Sequence, residues 1–138
     1  MKSFALFYGV VFLLVGIAGS IPGMTSPHDH PDVVVGTGLG LLFGLFPVNV
    51  IHNIIHAAFG AWGILASRDR GWSRTYAKSV AIIYALLTVF GLIAAGRIYT
   101  TFGLAPLYGH DVWLHAALAA GAAYFAFAHR DDRVATHA

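Results

Sequence analysis

Four apolar runs, each about as long as a membrane-crossing helix, constrain what this chain can fold into. Crossing the hydrocarbon core of a bilayer takes about 20 helical residues, and the runs lie at about residues 4–21, 48–66, 77–95 and 112–128. Of the 138 residues, 58% are hydrophobic and 10% are charged, whereas about 25% of a soluble domain is charged. The sequence therefore predicts an all-α fold, in which residues 1–138 form one integral membrane domain with four transmembrane helices.

The positive charges predict how the four helices are oriented. Arg97 follows the third run, whereas the other basic residues lie at the N-terminus, around the connection between the second and third runs, or in the C-terminal tail. These are Lys2, Arg68, Arg70, Arg74, Lys78, Arg130 and Arg133. Since Lys and Arg concentrate on the cytoplasmic side of a membrane, both termini are predicted to be cytoplasmic. Arg97 is expected to snorkel at the outer interface.

The connection between the first two runs is long and changes character along its length. Prolines and polar residues come first, and the glycine-rich apolar stretch 33–46 follows. That stretch is too short to span a membrane comfortably, so it predicts an interfacial or re-entrant segment before helix two. The run of His28, Asp29 and His30 has the composition of a chelator that captures a metal ion. We favour a solvated turn, which is typical of polar residues beside prolines.

An internal repeat organises the chain. Residues 43–58 align without gaps on residues 102–117, and seven of the sixteen positions are identical, including a proline and a histidine. A repeat of this kind predicts that one helical hairpin is used twice, so that the four-helix bundle consists of two repeated hairpins. Because each hairpin crosses twice, the axis relating the copies would lie along the membrane normal.

Two pairs of ionisable residues lie at the aligned positions of this repeat. His52 with His56, and Asp111 with His115, are each four residues apart, so both members of a pair share one helical face. Ionisable residues in a membrane helix are costly and usually functional. If helices two and four face each other, three imidazoles and a carboxylate converge, which is a donor set for Zn, Cu or Fe. Two residues close by in the sequence are candidates to orient a ring or a bound water, namely Asn49 and Asn53.

Other interpretations of the same residues stay open. The protein could instead be a membrane subunit that binds haem b or another pigment. Haem b would need two imidazoles at equal depth on facing helices, for which His56 and His115 are the candidates. A metal-free Asp-His hydrogen-bond or proton-relay network is a second alternative. A purely structural role is a third, in which Asp111 is the N-cap of helix four. The extra pairing of His52 with Asp111 favours a compact metal ion over a macrocycle.

Several functional classes lack their residues in this sequence. The absence of cysteine excludes disulfides, thiolate metal sites and iron-sulfur clusters, and no glycine-rich phosphate loop is present. No basic face for nucleic acid is apparent. The expected partners are the lipid bilayer and either a second copy of the chain or a larger membrane complex, to which the protein would be an accessory subunit. No reaction follows from the residues, and we favour a role other than catalysis.

The sequence resembles a known family. The pattern Phe-Pro-Val-Asn-Val-Ile-His52-Asn53-Ile-Ile-His56, followed by Asp111-Val-Trp-Leu-His115, resembles the bacterial four-helix membrane proteins grouped as domain of unknown function 4383. The resemblance covers nearly the whole chain. It implies a small multi-pass protein of the bacterial inner (plasma) membrane, with these polar positions as a hallmark. It implies no activity.

Overall fold

Two helical hairpins form the body of the protein, which is mostly helical as predicted. The computed structural model describes residues 1–129; Arg130 and Arg133, on which the topology prediction partly depends, lie outside the described residues. The helices are α1 (Lys2–Ala18), α2 (Val50–Ala66), α3 (Arg70–Gly91) and α4 (His110–Ala123), and α4 continues into a π-helical turn, Tyr124–Ala128. Helix α1 packs mainly against α2, and α3 packs mainly against α4.

Polar side chains set the starts of α2 and α3. The Asn49 Oδ1 atom accepts a hydrogen bond from the His52 amide at 3.0 Å, and Asp69 Oδ1 accepts one from the Trp72 amide at 2.9 Å. Such N-caps satisfy amides that have no partner within the helix. Helix α3 therefore begins at Arg70. The predicted apolar run begins only at residue 77, because the first turns of the helix are polar and largely exposed.

Glycines let α1 and α2 approach closely. A Cβ atom added at Gly60 would lie 2.5 Å from the Leu13 amide nitrogen, and one added at Gly9 would lie 2.6 Å from the Ile64 amide nitrogen. Both distances are shorter than a Cβ atom can tolerate, so a larger residue at either position would clash. The backbones of α1 and α2 are therefore in direct contact at these two glycines. Small residues at helix contacts are typical of helices that associate within a membrane.

The long connection between α1 and α2 contains a small antiparallel sheet that the sequence did not predict. Strands β1 (Thr25–Pro27), β2 (Gly40–Leu42) and β3 (Phe46–Val48) pair in the order β1-β2-β3. Three-residue strands are too short to show an alternating pattern, and proline in two of them argues against strand. The predicted interfacial or re-entrant segment, residues 33–46, includes β2 and folds back on the start of α2, where Thr37 O accepts from the Val50 amide at 2.9 Å.

A cap over one end of the helices joins this connection to the one between α3 and α4. We define the cap as residues 22–49 and 92–109; it includes the 3₁₀ helix Ala95–Thr100. The Val34 and Val35 amides both donate to Gly103 O, at 2.8 and 3.1 Å. The two connections, far apart in sequence, therefore form one layer.

A carboxylate in the cap also joins the two connections. Asp32 Oδ1 lies 3.4 Å from Arg97 Nε, and Asp32 Oδ2 accepts a short hydrogen bond from the Tyr99 hydroxyl. That hydrogen bond to a carboxylate raises the pKa of Tyr99. Arg97, which the sequence predicted would snorkel at the outer interface, has an acidic partner in the cap.

The repeat in the sequence corresponds to a repeated turn in the structure. Phe43 and Gly44 have φ values of 53° and 72°, and the aligned Phe102 and Gly103 have 58° and 90°. In each copy the glycine amide donates to the carbonyl three residues earlier, at 3.0 and 2.9 Å. Left-handed backbone is uncommon for phenylalanine, so the same unusual turn in both copies supports a common hairpin unit.

Within residues 1–129, one helical stretch is long and apolar enough, by length and composition, to cross a membrane. It is the continuous helix His110–Ala128 of 19 residues. Helices α1 and α2 are also apolar but have 17 residues each.

Candidate metal centre

Three buried histidines converge between the hairpins. One side-chain nitrogen from each of His52, His56 and His115 lies within 4.8 Å of the other two. Helix α2 supplies His52 and His56 one turn apart, with ring centroids separated by 4.4 Å, and α4 supplies His115, whose ring centroid is 6.3 Å from that of His52. The structure thus brings together the imidazoles of both predicted pairs.

Asp111 lies at the edge of this cluster and contacts two of its members. Its Oδ2 atom is 3.5 Å from His115 Nε2 and 4.0 Å from His52 Nε2, and the side chain is 2% exposed. The residue lies in the first turn of α4, whose N-cap is Gly109. The alternative in which Asp111 is the N-cap of helix four is therefore wrong, because the helix begins one residue before it.

Four buried polar atoms of the cluster lack hydrogen-bond partners. The Nδ1 atoms of His52, His56 and His115 and the Oδ2 atom of Asp111 are all buried without one. The Pro47 carbonyl lies near the His52 ring, but no hydrogen bond of normal geometry reaches His52 Nδ1. Buried polar atoms are nearly always paired with protein, water or an ion. Four such atoms in one cluster leave polar groups that an ion could satisfy.

Aromatic residues from the other two helices enclose the cluster. The Phe12 ring from α1 stacks on His56 with centroids 5.6 Å apart, and the Tyr84 ring from α3 lies edge-on to His115 at 5.1 Å. Both side chains are buried, so all four helices contribute to the site. Sequence reasoning missed Phe12 and Tyr84, because an aromatic residue inside an apolar run carries no signal of what it will pack against.

A cavity adjoins the cluster on the side of the cap. Its volume is about 260 Å³, and the three histidines and Tyr84 form part of its wall. The rest of the wall is mostly apolar and includes Ile51, Ile55, Leu87, Leu104 and Leu107.

Of the two asparagines predicted to orient a ring or a bound water, Asn49 has other hydrogen-bond partners, whereas the Oδ1 atom of Asn53 is buried without one. Asn49 Nδ2 donates to Val35 O at 3.0 Å and to Leu104 O at 2.8 Å, while its Oδ1 caps α2. Asn53 is buried against the end of α1, where a Cβ atom at Gly19 would clash with its side-chain oxygen. Asn49 therefore positions the first turn of α2, and with it His52, through the backbone.

The cap residues His28, Asp29 and His30 do not converge as a ligand set; over residues 1–129 the histidine cluster is the one such group found. His28 Nε2 and the Tyr108 hydroxyl share a hydrogen bond of 2.8 Å, and the His30 ring stacks on the Tyr108 ring at 4.5 Å. Asp29 Oδ1 accepts from the His30 amide at 2.9 Å. Burial raises the pKa of Tyr108 to about 12, so its hydroxyl stays protonated. These contacts are those of a structured turn in the cap.

The fold and the site together define a class: a mostly helical protein with three buried imidazoles and a carboxylate between two hairpins. A family model described as Domain of unknown function (DUF4383) matches residues 2–128. The chain therefore belongs to this family, and the family assignment made from the sequence is confirmed. A search of curated proteins and a search of solved structures each found no match.

Proposed function

We propose that this protein binds a transition metal ion, Zn, Cu or Fe, through His52, His56 and His115. Asp111 completes the ligand set or holds the His115 and His52 rings in place. The observation that carries the proposal is the convergence of three buried imidazoles, each of which has a nitrogen within 4.8 Å of the other two. The Nδ1 atom of each ring has no hydrogen-bond partner. Neutral imidazole and carboxylate are the donors such ions take in proteins without cysteine.

The separations within the cluster support an ion of this size. Zn lies about 2.0–2.1 Å from nitrogen ligands, which puts two tetrahedral ligands about 3.3–3.4 Å apart. The 3.5 Å between Asp111 Oδ2 and His115 Nε2 is close to that value, and the 4.0 Å to His52 Nε2 needs a small closure. The same 3.5 Å is longer than the about 2.7–3.2 Å of a hydrogen bond to nitrogen, so Asp111 and His115 are not directly hydrogen-bonded in this structure.

Haem b on His56 and His115 is less well supported. The cavity beside the two residues holds about 260 Å³, below the about 300–1,000 Å³ of pockets for drug-sized ligands. A porphyrin uses one imidazole on each face, which would leave His52 and Asp111 without a role. A compact ion uses all four side chains.

The distribution of polar and apolar side chains supports a multi-pass membrane protein. The interior holds His52, Asp111 and other polar groups, whereas every helix exposes large apolar residues. These include Phe7 and Leu14 on α1, Ile54 and Leu65 on α2, Ile82 and Leu86 on α3, and Trp113 on α4. Exposed apolar surface of this extent on all helices fits a lipid environment, with the ionisable groups facing the interior of the bundle.

In this arrangement both termini are cytoplasmic, the cap lies at the outer face of the bacterial inner membrane, and the ion lies just beneath it. The protein then acts in metal handling or in redox chemistry. The same exposed surface would also accept a second copy or a larger membrane complex. Sizing of the protein in mild detergent distinguishes an accessory subunit, which would co-purify with other chains, from a protein that acts alone.

Elemental analysis of the purified protein tests the metal proposal. We expect about one transition metal ion per chain in the wild type. His56→Ala removes one ligand and should lower metal affinity by more than the about 10–100-fold that follows loss of an outer partner. The matched control is His110→Ala, because His110 is exposed and its Nδ1 accepts from the Trp113 indole at 2.9 Å, outside the cluster.

The outcome is read on one sample of each variant. Wild-type protein that takes up no Zn, Cu or Fe contradicts the proposal, and so does equal metal loss in the two variants. An optical spectrum of the same sample decides the haem alternative, since bound haem absorbs strongly in the visible range and a colourless sample excludes it.

A further inference from the structure

A polar cavity and an apolar groove meet where α1 ends. The cavity holds about 330 Å³ between the end of α1, the start of β1 and the first turn of α2, and the groove follows α1 and α2 away from the cap. Both are lined by Ser20, Ile21 and Asn53, so they form one continuous depression. We propose that this depression binds a glycerolipid whose headgroup is one uncharged sugar. The inference rests on the proposed membrane setting, but it concerns residues outside the histidine cluster.

Neutral polar side chains line the cavity and have hydrogen-bonding capacity to spare. Asn53 is 4% exposed, and its Nδ2 atom is neither hydrogen-bonded within residues 1–129 nor sealed, unlike its Oδ1 atom. The hydroxyl groups of Thr25 and Thr37 are likewise unpaired in that part of the chain and not sealed. Ser20 Oγ donates to Gly16 O at 3.0 Å and can still accept. Such a wall suits a ligand that carries several hydroxyl groups.

The depression lacks charge, which sets the kind of headgroup. Among the described residues, neither wall contains Lys, Arg, His, Asp or Glu. A phosphate placed there would lose water without gaining a cation, which is costly, whereas a sugar carries no charge. An apolar cavity of about 150 Å³ holds benzene, so about 330 Å³ accommodates one sugar ring with its hydroxyl groups.

The groove beside the cavity is apolar and fits a hydrocarbon chain. Ile17 of α1 and Ile54 of α2 line it and are 47% and 60% exposed. Its floor is helix backbone, because a Cβ atom added at Gly16 would lie 2.7 Å from Asn53 O. In the proposed membrane setting the groove opens into the hydrocarbon of the outer leaflet, and the cavity lies at the depth of the headgroups. A glycolipid therefore fills both spaces, whereas a soluble sugar fills only the cavity.

Native mass spectrometry of the full chain tests the proposal by counting the lipids bound to each protein. The chain is held in a polyoxyethylene detergent, which contains no sugar, after removal of metal with a chelator. The probe is monoglucosyl dioleoylglycerol, for which we expect saturable binding. Dioleoyl phosphatidylglycerol has the same chains and should bind at least about fivefold more weakly, because its phosphate finds no cation. Methyl glucoside, which has no hydrocarbon chain, should not displace the probe.

Two pairs of variants locate the site. Ser20→Trp places a large side chain where the cavity meets the groove and should weaken binding at least about tenfold. Ser3→Trp is its control, because Ser3 is exposed at the other end of α1 and lines neither space. Thr37→Val keeps the side-chain shape and should weaken binding about two- to tenfold through the loss of one hydrogen bond. Thr75→Val, at an exposed position of α3, is the control for that change.

Any of four results overturns the proposal: no saturable binding of the glucosyl lipid, equal or tighter binding of phosphatidylglycerol, displacement by methyl glucoside, or equal effects within either pair of variants. Washing membranes with alkaline carbonate tests the membrane setting separately. A chain that stays in the membrane but binds no glucosyl lipid overturns this inference alone. Because metal is removed beforehand, the result is also independent of the elemental analysis.

Discussion

Asn49 Nδ2 donates a hydrogen bond of 2.8 Å to the carbonyl of Leu104, so the residue that begins α2 is joined to the loop that leads into α4. The two residues belong to different copies of the repeat. Asn49 is fully buried, and its other side-chain contacts cap α2 and reach Val35 O. One amide thus fixes the relative position of two helix starts that carry His52 and Asp111.

Removal of this amide should destabilise the protein. Asn49→Ala eliminates the N-cap and leaves the Leu104 and Val35 carbonyls without their donor, at a cost of roughly 2–4 kcal/mol. Asn49→Ser keeps the cap but not the two donors, so we expect an intermediate loss. Denaturant unfolding in detergent measures both. Equal stability of the alanine and serine variants would mean that the bridge to Leu104 contributes nothing.

The carboxylate beside the histidines should matter for metal affinity more than for folding. Asp111→Asn keeps nearly the same side-chain shape but removes the charge. Because Asp111 is proposed to complete the ligand set or to hold the histidine rings in place, the substitution should weaken metal binding by about 10–100-fold. Competition with a chelator of known affinity measures the change. Asp29→Asn in the cap is the control, because Asp29 is exposed and contacts the His30 amide instead of the cluster. Unchanged affinity in Asp111→Asn would place Asp111 outside the ligand set.

Close contact between α1 and α2 should make one glycine irreplaceable. In Gly60→Ala the new Cβ would lie 2.5 Å from the Leu13 amide nitrogen, and the overpacking should cost about 1–3 kcal/mol. At Gly36 a Cβ meets nothing within 4 Å, so Gly36→Ala should stay within about 0.5 kcal/mol of wild type. Thermal unfolding of the two variants compares them directly. Tolerance of Gly60→Ala would show that the helices can separate at no cost.

The Asp69 N-cap of α3 should make the stability of the protein depend on pH. The hydrogen bond from the Trp72 amide lowers the pKa of Asp69 below its ordinary value. A group whose pKa is lower in the folded state stabilises above its unfolded pKa, about 3.9, and this contribution is lost as pH falls through the folded value. Asp69→Asn keeps a capping oxygen without the titration.

The measurement is the melting temperature of wild type and Asp69→Asn between about pH 6 and about pH 2.5. The wild type should lose its advantage over the variant as the pH falls through this range. If the melting temperatures of the two proteins change in parallel with pH, the carboxylate of Asp69 stabilises α3 no more than a neutral capping residue does.

The helices and the histidine cluster could be predicted because their signals are local. Long apolar runs indicate helices, and the four-residue spacing of His52 and His56 places both rings on one face. The aligned repeat then indicated that His115 would lie opposite them, and the structure has all three rings together. Each of these inferences uses residues that are close in sequence or matched by the repeat.

The cap and the enclosing aromatics could not be predicted, because they depend on contacts between distant segments. The strands have three residues each and take their stability from pairing across the connection, which no local pattern records. Asn49 was expected to orient a ring or a bound water from its closeness to His52 in sequence, whereas its side-chain NH₂ group donates to carbonyls 14 and 55 residues away. Tyr84 was not singled out, because its role arises only when α3 packs beside α4.

The shared Phe-Gly turn indicates that the two hairpins are related units within one chain, although they carry different side chains. The first half brings two imidazoles, and the second brings an imidazole and an acid group. Neither half carries all the donors, so severing the link between α2 and α3 would leave fragments that regain the complete centre only by reassociating. Assembly of the two halves and creation of the centre are therefore one event.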